Sequence, residues 1–407
     1  MATSRSSSSL LAGTSKDSGP PVAGRNCFQG TRLMAGDLPW PPAAGLLAPL
    51  GAWFASCRRD LPWRAKDLSA PHPDPYAVLV SELMLQQTQV ATVIPYFGRW
   101  MRAFPDARSL ASASEDDLHR HWQGLGYYRR ARHLQGAAQS IAERGWPQDL
   151  EGLLRLPGLG PYSAAAVAAI AFQAPEPALD GNALRVAARL LALEDPKLRQ
   201  AELRDWLRPA LARLGPSATT QAIMELGALV CLPRQPRCEA CPLAAGCGAR
   251  SRGLIALCPG SRPRPVPRIV DLWLVAAVSG GRWLLERPAS RGLLAGLWKW
   301  PTAPGLETCA GEAPSADAAV AQASIGPGWV QSYTHRKERI TPCLVEVPAP
   351  WEPGVGQAWI DTADLRALPL GRRDQRLREL VLEAPSSGLG TATPAAPLLA
   401  LFRQSGS

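Results

Sequence analysis

The stretch 156–182, LPGLGPYSAAAVAAIAFQAPEPALDGN, constrains this chain more than any other. It opens on a two-glycine turn, Leu156-Pro157-Gly158-Leu159-Gly160, set between apolar segments. A helical run of small residues follows over 163–172, and an isolated acid, Asp180, then precedes Gly181-Asn182. Glycines at 158 and 160 allow close backbone approach, and the N–H groups at the start of the next helix point toward a bound phosphate. Taken alone, a Gly-x-Gly turn is as readily a plain tight loop, so the rest of the chain has to decide.

At 407 residues the chain is long enough for two or three domains, each with its own core. A formal net charge of +10 favours a polyanionic partner. No apolar run approaches the ~20 residues that a membrane span needs. Residues 1–43 are rich in Ser, Gly and Pro and carry no helical or strand period, so a disordered extension is expected. Its basic, acid-poor character fits an organelle transit peptide or a start upstream of true initiation near Met34. No apolar core of a secretory signal follows Arg5.

The pattern over 44–248 is helical. Asp74-Pro75 starts one helix through 76–84, 89–104 reads as a second, and Ser114 with Asp117 caps a third that runs to Trp122. After Gly124-Leu125-Gly126 a basic helix spans 128–144, and further helices are expected near 182–193 and 219–230. The stretch 249–267 joins a Pro-x-Pro alternation to several arginines and no acid, which predicts an extended basic linker. Beyond Arg268 the period shortens. Strands are expected at IVDLWLVAAV, GRWLLERP, RITPCLVEVP and QAWID, with a helix over 374–383. The fold class is therefore multidomain: an all-α body, then an α+β domain over 268–385, then a loose tail at 386–407.

Four of the nine cysteines, Cys231, Cys238, Cys241 and Cys247, fall in one segment with C-x6-C-x2-C-x5-C spacing. The other five are scattered, which suits a reducing compartment and a metal site better than a disulfide framework. Four thiolates this close can surround one tetrahedral ion or one cubane cluster. Structural zinc sites more often pair two C-x2-C knuckles across a longer spacer. This spacing resembles the [4Fe-4S] loop of the endonuclease III and MutY glycosylases. The turn and helix at 156–172 likewise resemble the DNA-binding helix-hairpin-helix of that superfamily, with Gly158 and Gly160 at the phosphate backbone and Asp180 as its shared aspartate.

The stretch SELMLQQTQVATVIPYF, 81–97, resembles the MutY-type adenine DNA glycosylases. In that family the glutamate matching Glu82 is the catalytic acid. Its neighbours Leu79, Val80, Leu83 and Met84 would favour the protonated form. Periodicity alone favours reading Glu82 as a surface carboxylate on an amphipathic helix. The resemblance implies that a neutral Glu82 protonates adenine N7 and that Asp180 stabilises the sugar cation left when the base departs. Tyr162 and Asn182 would hold the acids, the sugar or the attacking water. Lyase-type members carry a lysine where this chain has Tyr162. A phenol cannot form the Schiff base that cuts the strand, so base release alone is expected.

An adenine inside the duplex must be flipped out before it can be attacked. By the same resemblance Gln87 and Tyr127 are wedge residues, and Thr88 and Leu125 touch the opposing base. Leu61-Pro62-Trp63-Arg64 matches the adenine-pocket segment, and Gln221 stands where the family often places Glu or Gln near N7. Pro71-His72-Pro73 belongs to extra residues that alter the pocket rim.

The second domain resembles the MutT-like (Nudix) domain of MutY enzymes through Arg287-Pro288, the stretch 292–298 and Tyr333-Thr334-His335. Only Glu307, Glu312 and Asp317 stand between Gly305 and Gly326, without the acid-rich pattern that magnesium needs, so a recogniser rather than a hydrolase is expected. The family's Phe-Ser-His loop senses 8-oxoguanine, and here Thr334 holds the serine position. The resemblance implies a monomeric adenine glycosylase acting on duplex DNA with 8-oxoguanine:A or G:A mispairs, carrying a [4Fe-4S] cluster. It would lie in the bacterial cytoplasm, or in a nucleus or mitochondrion if eukaryotic. An endonuclease III-like or mismatch thymine glycosylase, and a catalytically silent DNA-binding module, remain alternatives.

Overall fold

The protein is described by a computed structural model covering residues 40–260, 266–288, 296–304, 325–333, 335–346, 350 and 352–383. The helical body and the sheet belong to one compact unit that begins at Pro41. Helices α1 (Ala43–Leu47) and α2 (Leu50–Cys57) lead into α3 (Pro75–Leu85) and α4 (Val90–Ala103). The short α5 (Ala107–Ala111), then α6 (Glu115–Trp122) and α7 (Arg129–Arg144), complete the first half. The second half holds α8 (Leu150–Arg155), α9 (Pro161–Phe172), α10 (Gly181–Leu191), α11 (Gln200–Leu214), α12 (Pro216–Leu229) and α13 (Gly248–Ser251).

Local chemistry sets the helix starts. Asp74 accepts hydrogen bonds from the N–H groups of Tyr76 and Ala77 at 2.9 and 3.1 Å, and Pro75 occupies the first turn of α3. Ser114 caps α6 by accepting from the Asp117 N–H at 3.1 Å. Every residue of α9 from Ser163 to Ala171 is buried, and α9 packs against α3, α8 and α12. Alanine side chains make that possible, because neighbouring helices approach closely without cavities. Two glycines mark close contacts around the site. A Cβ on Gly158, whose φ is +82°, would lie 2.3 Å from His133 Cβ, and one on Gly227 in α12 would lie 2.6 Å from Asn182 Cβ.

The stretch 249–260, expected as the start of a free linker, is instead folded onto the helical body. Arg189 Nε donates to the Cys258 carbonyl at 2.9 Å, the Gly260 N–H donates to the Glu194 carbonyl at 2.8 Å, and Cys258 is buried. The apolar residues scattered among its arginines supply the grip that composition alone concealed. Residues 261–265, which hold the Pro-x-Pro core of that linker, lie outside the described residues.

The second domain is a mixed sheet of β1 (Arg268–Ser279), β2 (Arg282–Glu286), β3 (Thr302–Pro304), β4 (Trp329–Ser332), β5 (Arg336–Glu346) and β6 (Gln357–Asp361). Strand order is β4-β5-β1-β2-β6, with β3 also on β1. Strands β1 and β5 run parallel, pairing Leu272 with Ile340, and the remaining pairs are antiparallel. Helix α14 (Thr362–Leu365) follows β6, and α15 (Arg372–Glu383) buries Leu377 and Val381 in the sheet's core with Trp300. Strands β3 and β4, only three and four residues long, carry too little alternation to be read from sequence.

The two layers dock through a few anchors. Leu297, from the sheet domain, is fully buried in the hydrophobic core of the helical body. Arg287 donates to Asp116 on α6 at 2.7 Å, and the Tyr128 hydroxyl reaches the Leu370 carbonyl at 3.5 Å.

Candidate active site

Helices α3 and α9 bring Glu82 and Tyr162 together. Glu82 is buried among the apolar residues of α3, and the Tyr162 hydroxyl donates to its Oε2 at 3.0 Å. Burial pushes the Glu82 carboxyl up to about 7; the tyrosine hydrogen bond opposes the shift, and the charge of Asp180 adds to it. The Tyr162 phenol is itself raised well above its ordinary value, by burial first and then by the two carboxylates, so it remains a neutral donor. A carboxyl poised near neutrality beside a second acid can deliver a proton that an ordinary glutamate would already have lost.

Asp180 is the N-cap of α10, and its Oδ1 accepts the Ala183 N–H at 2.6 Å. The cap fixes the side chain at the mouth of that helix. Asn182, in the first turn of α10, accepts from Arg185 Nη2 at 2.8 Å. Arg185 also donates to the carbonyls of Gly227 and Cys231, at 2.8 and 2.7 Å, which ties the aspartate segment to the start of the cysteine segment. Arg185 was not singled out from the sequence, because only the fold shows what a helical arginine reaches.

Trp63 and Arg64 lie on a buried shelf. The Trp63 ring meets Phe97 edge-on at 5.3 Å. Arg64 donates to Gln221 Oε1 at 2.8 Å and to Glu225 at 3.3 Å, while Gln221 Nε2 donates to Ser217 at 3.0 Å. Glu225 is almost fully buried and also takes two hydrogen bonds from the Arg59 guanidinium, at 2.8 Å each. Burial alone would raise the Glu225 carboxyl, yet the bonds and charges of Arg59 and Arg64 hold it below the usual range. Sequence reading missed both Glu225 and Arg59, although Glu225 sits one turn beyond Gln221.

Gln87, Thr88, Leu125 and Tyr127 meet at one groove. Its volume is about 690 Å³, and the sheet domain closes it with Gln331, Tyr333, His335 and Arg372. Tyr127 is 49% exposed at the rim, Gln87 is exposed, and Leu125 is buried. Thr334 lies outside the described residues, as do Glu307, Glu312 and Asp317.

At the 156–160 turn the Leu159 N–H donates to the Leu156 carbonyl at 3.2 Å, and Gly160 is the N-cap of α9, with no side-chain cap on the N–H groups of Tyr162 and Ser163 that follow Pro161. Its first N–H groups are therefore available to an outside acceptor. Cys231, Cys238, Cys241 and Cys247 line one small cavity of about 30 Å³, and Arg189 Nη1 donates to Cys231 Sγ at 3.3 Å. Among the described residues, no three His, Cys, Asp or Glu side chains converge tightly enough to hold a single metal ion. A lone zinc would need its sulfurs ~2.3 Å from one point. Four thiols lining one cavity are a donor set that a thiolate-bound metal centre can use.

This architecture is that of the helix-hairpin-helix base-excision glycosylases, and residues 80–209 match the family described as "HhH-GPD superfamily base excision DNA repair protein". An adenine DNA glycosylase of Mycolicibacterium smegmatis is 42% identical over 212 residues, covering 50% of this chain and 69% of that protein. One from Mus musculus is 36% identical over 303 residues, covering 62% of this chain and 59% of that protein. The chain belongs to the adenine DNA glycosylase family. It spans about half the length of the mammalian and plant relatives it matches. A solved thermostable thymine-DNA glycosylase aligns at 22% identity and a TM-score of 0.45, over 51% of this chain and 96% of that one.

The raised carboxyl has a consequence for stability. Folding lifts Glu82 from 4.5 to about 7, so its stabilising contribution is complete below the lower value and is lost as pH rises through the upper one. Glu82→Gln removes that loss. The variant should match the native protein near about pH 4 and exceed it near about pH 8, by on the order of 3 kcal/mol. Denaturant melts at both pH values check this, and an equal difference at the two would contradict it.

Proposed function

We propose that the protein is a monofunctional adenine DNA glycosylase that removes adenine mispaired with 8-oxoguanine and, less readily, with guanine. The observation that carries this reading is the buried Glu82, held near neutrality and hydrogen-bonded by a tyrosine at the position where lyase-type relatives keep a lysine. Adenine is a poor leaving group as an anion. Protonation at N7 by Glu82 lets it depart neutral, and the Tyr162 hydroxyl orients the acid. The C1′–N9 bond then breaks toward a cation-like sugar, which the Asp180 carboxylate stabilises until water adds at C1′. Asn182, anchored by Arg185, lies two residues from Asp180 and would hold that water or the sugar.

The remaining parts serve binding. Gly158 and Gly160 would receive the DNA backbone at the head of α9, Gln87 and Tyr127 would fill the gap left by the flipped base, and Thr88 and Leu125 would touch its former partner. Trp63, Arg64 and Gln221 would form the adenine pocket, with Arg59 and Glu225 bracing it from behind. Cys231, Cys238, Cys241 and Cys247 would hold a [4Fe-4S] cluster that braces the exposed loop carrying Arg234 and Arg237, with no role in the chemical step. The domain over 268–385 would act as a Nudix-like recogniser of 8-oxoguanine through 333–335. Its position across the groove from Gln87 and Tyr127 supports that role.

Single-turnover assays on 8-oxoguanine:A, G:A and T:A duplexes, with and without alkali, test the reading. Free adenine should appear from the first two, and strand breaks only after alkali. Glu82→Gln should slow release by roughly 10²–10⁴-fold. Release of thymine instead, or strand cleavage without alkali, would overturn it. The purified protein should also be yellow-brown with about four iron atoms per chain, whereas a colourless zinc protein would refute the cluster.

A further inference from the structure

One buried arginine joins the two turns that carry the wedge. Arg130, the second residue of α7, is only 6% exposed. Its Nη1 donates to the carbonyls of Leu83, Met84 and Gln86 at 3.0, 2.7 and 2.5 Å. Its Nη2 donates to Thr88 Oγ1 at 3.0 Å and to the carbonyls of Leu125 and Gly126 at 3.3 and 3.0 Å. The same guanidinium lies 5.4 Å from the centre of the Tyr127 ring. One planar group thus gathers the end of α3, the 85–88 turn and the 124–127 turn.

Those turns are the ones with strained backbones. Among the described non-glycine residues, Gln87 and Tyr127 have φ of +58° and +49°. Gln173 and Ala192 share that region as the C-caps of α9 and α10. Gln87 follows the C-cap of α3, inside a turn closed by the Thr88 N–H on the Leu85 carbonyl at 3.2 Å, and Tyr127 follows Gly126 at the groove rim. A left-handed non-glycine residue persists only where its surroundings over-determine it. Arg130 binds acceptors beside both left-handed residues, Gln86 and Thr88 around Gln87 and Gly126 before Tyr127, and so helps to hold that conformation.

We infer that Arg130 is the positioning residue for strand opening, locking Gln87 and Tyr127 into one two-pronged wedge that enters the duplex as a unit. The assignment rests on the proposed base-flipping reading of this groove. Lysine keeps the charge but cannot reach both turns with a planar fork. Arg130→Lys should therefore free the two prongs, while the Tyr162 hydrogen bond and the packing of α3 on α9 still hold Glu82.

The test separates opening from chemistry. A duplex with 2-aminopurine in place of the target adenine, opposite 8-oxoguanine, should brighten when the native protein binds. With Arg130→Lys at saturating protein, most of that rise should vanish. Adenine release should fall roughly tenfold or more on a paired 8-oxoguanine:A duplex, yet stay within about twofold of native when the adenine stands in an unpaired bubble. Arg130→Gln carries the same comparison if the lysine variant does not fold. Equal loss on duplex and bubble, or an undiminished fluorescence rise, overturns the inference, as does a native protein that leaves the fluorescence unchanged. A native protein that opens the duplex without releasing adenine would defeat the proposed activity and leave this inference standing.

Discussion

The hydrogen bond from Tyr162 to Glu82 joins two helices that can lie close only because α9 is built from alanines and other small residues across its buried length. The rest of the site depends on that seam. The close packing of α3 on α9 strips water from Glu82, and the loss of water moves its carboxyl toward neutrality. Asp180 caps the next helix in the chain and adds its charge to the same shift. A larger residue in α9 would separate the helices, rehydrate the carboxyl and return it to the ordinary glutamate range. The protonation of Glu82 is thus set by buried alanines on a neighbouring helix.

A second dependence runs through buried arginines. Arg64 with Arg59, Arg130, Arg185 and Arg189 each bind backbone carbonyls or a buried acid, and so fix loops that carry no regular structure of their own. A guanidinium has several donors in a rigid plane, which suits it to gathering acceptors from separate segments. The +10 charge of the chain is therefore only partly a surface for DNA. Some of it is scaffolding, which weakens any inference from net charge to binding strength.

Much of the helical body could be read from local signals. Asp74-Pro75 and Ser114 announced α3 and α6 because capping is decided within three residues. The candidate residues Glu82, Asp180 and Tyr162 could be named from motif resemblance, and the fold places the first and third in contact. What stayed hidden was set by long-range partners. Glu225 lies 166 positions from Arg59, and nothing near either residue signals the pair. Leu297 lies in a stretch singled out only for its resemblance, yet it fills the core of the helical body. The folding of 249–260 onto Glu194 and Arg189 was concealed in the same way, by a composition that resembles a linker.

On the proposed reading, base departure depends on a proton that a neutral Glu82 supplies. The pH dependence of single-turnover adenine release from an 8-oxoguanine:A duplex tests it most directly. The account predicts a rate that is highest below neutrality and falls as pH rises through about 7, where Glu82 loses its proton. A rate that stays level from about pH 5 to about pH 9 would contradict it, because no group titrating near neutrality could then be the acid.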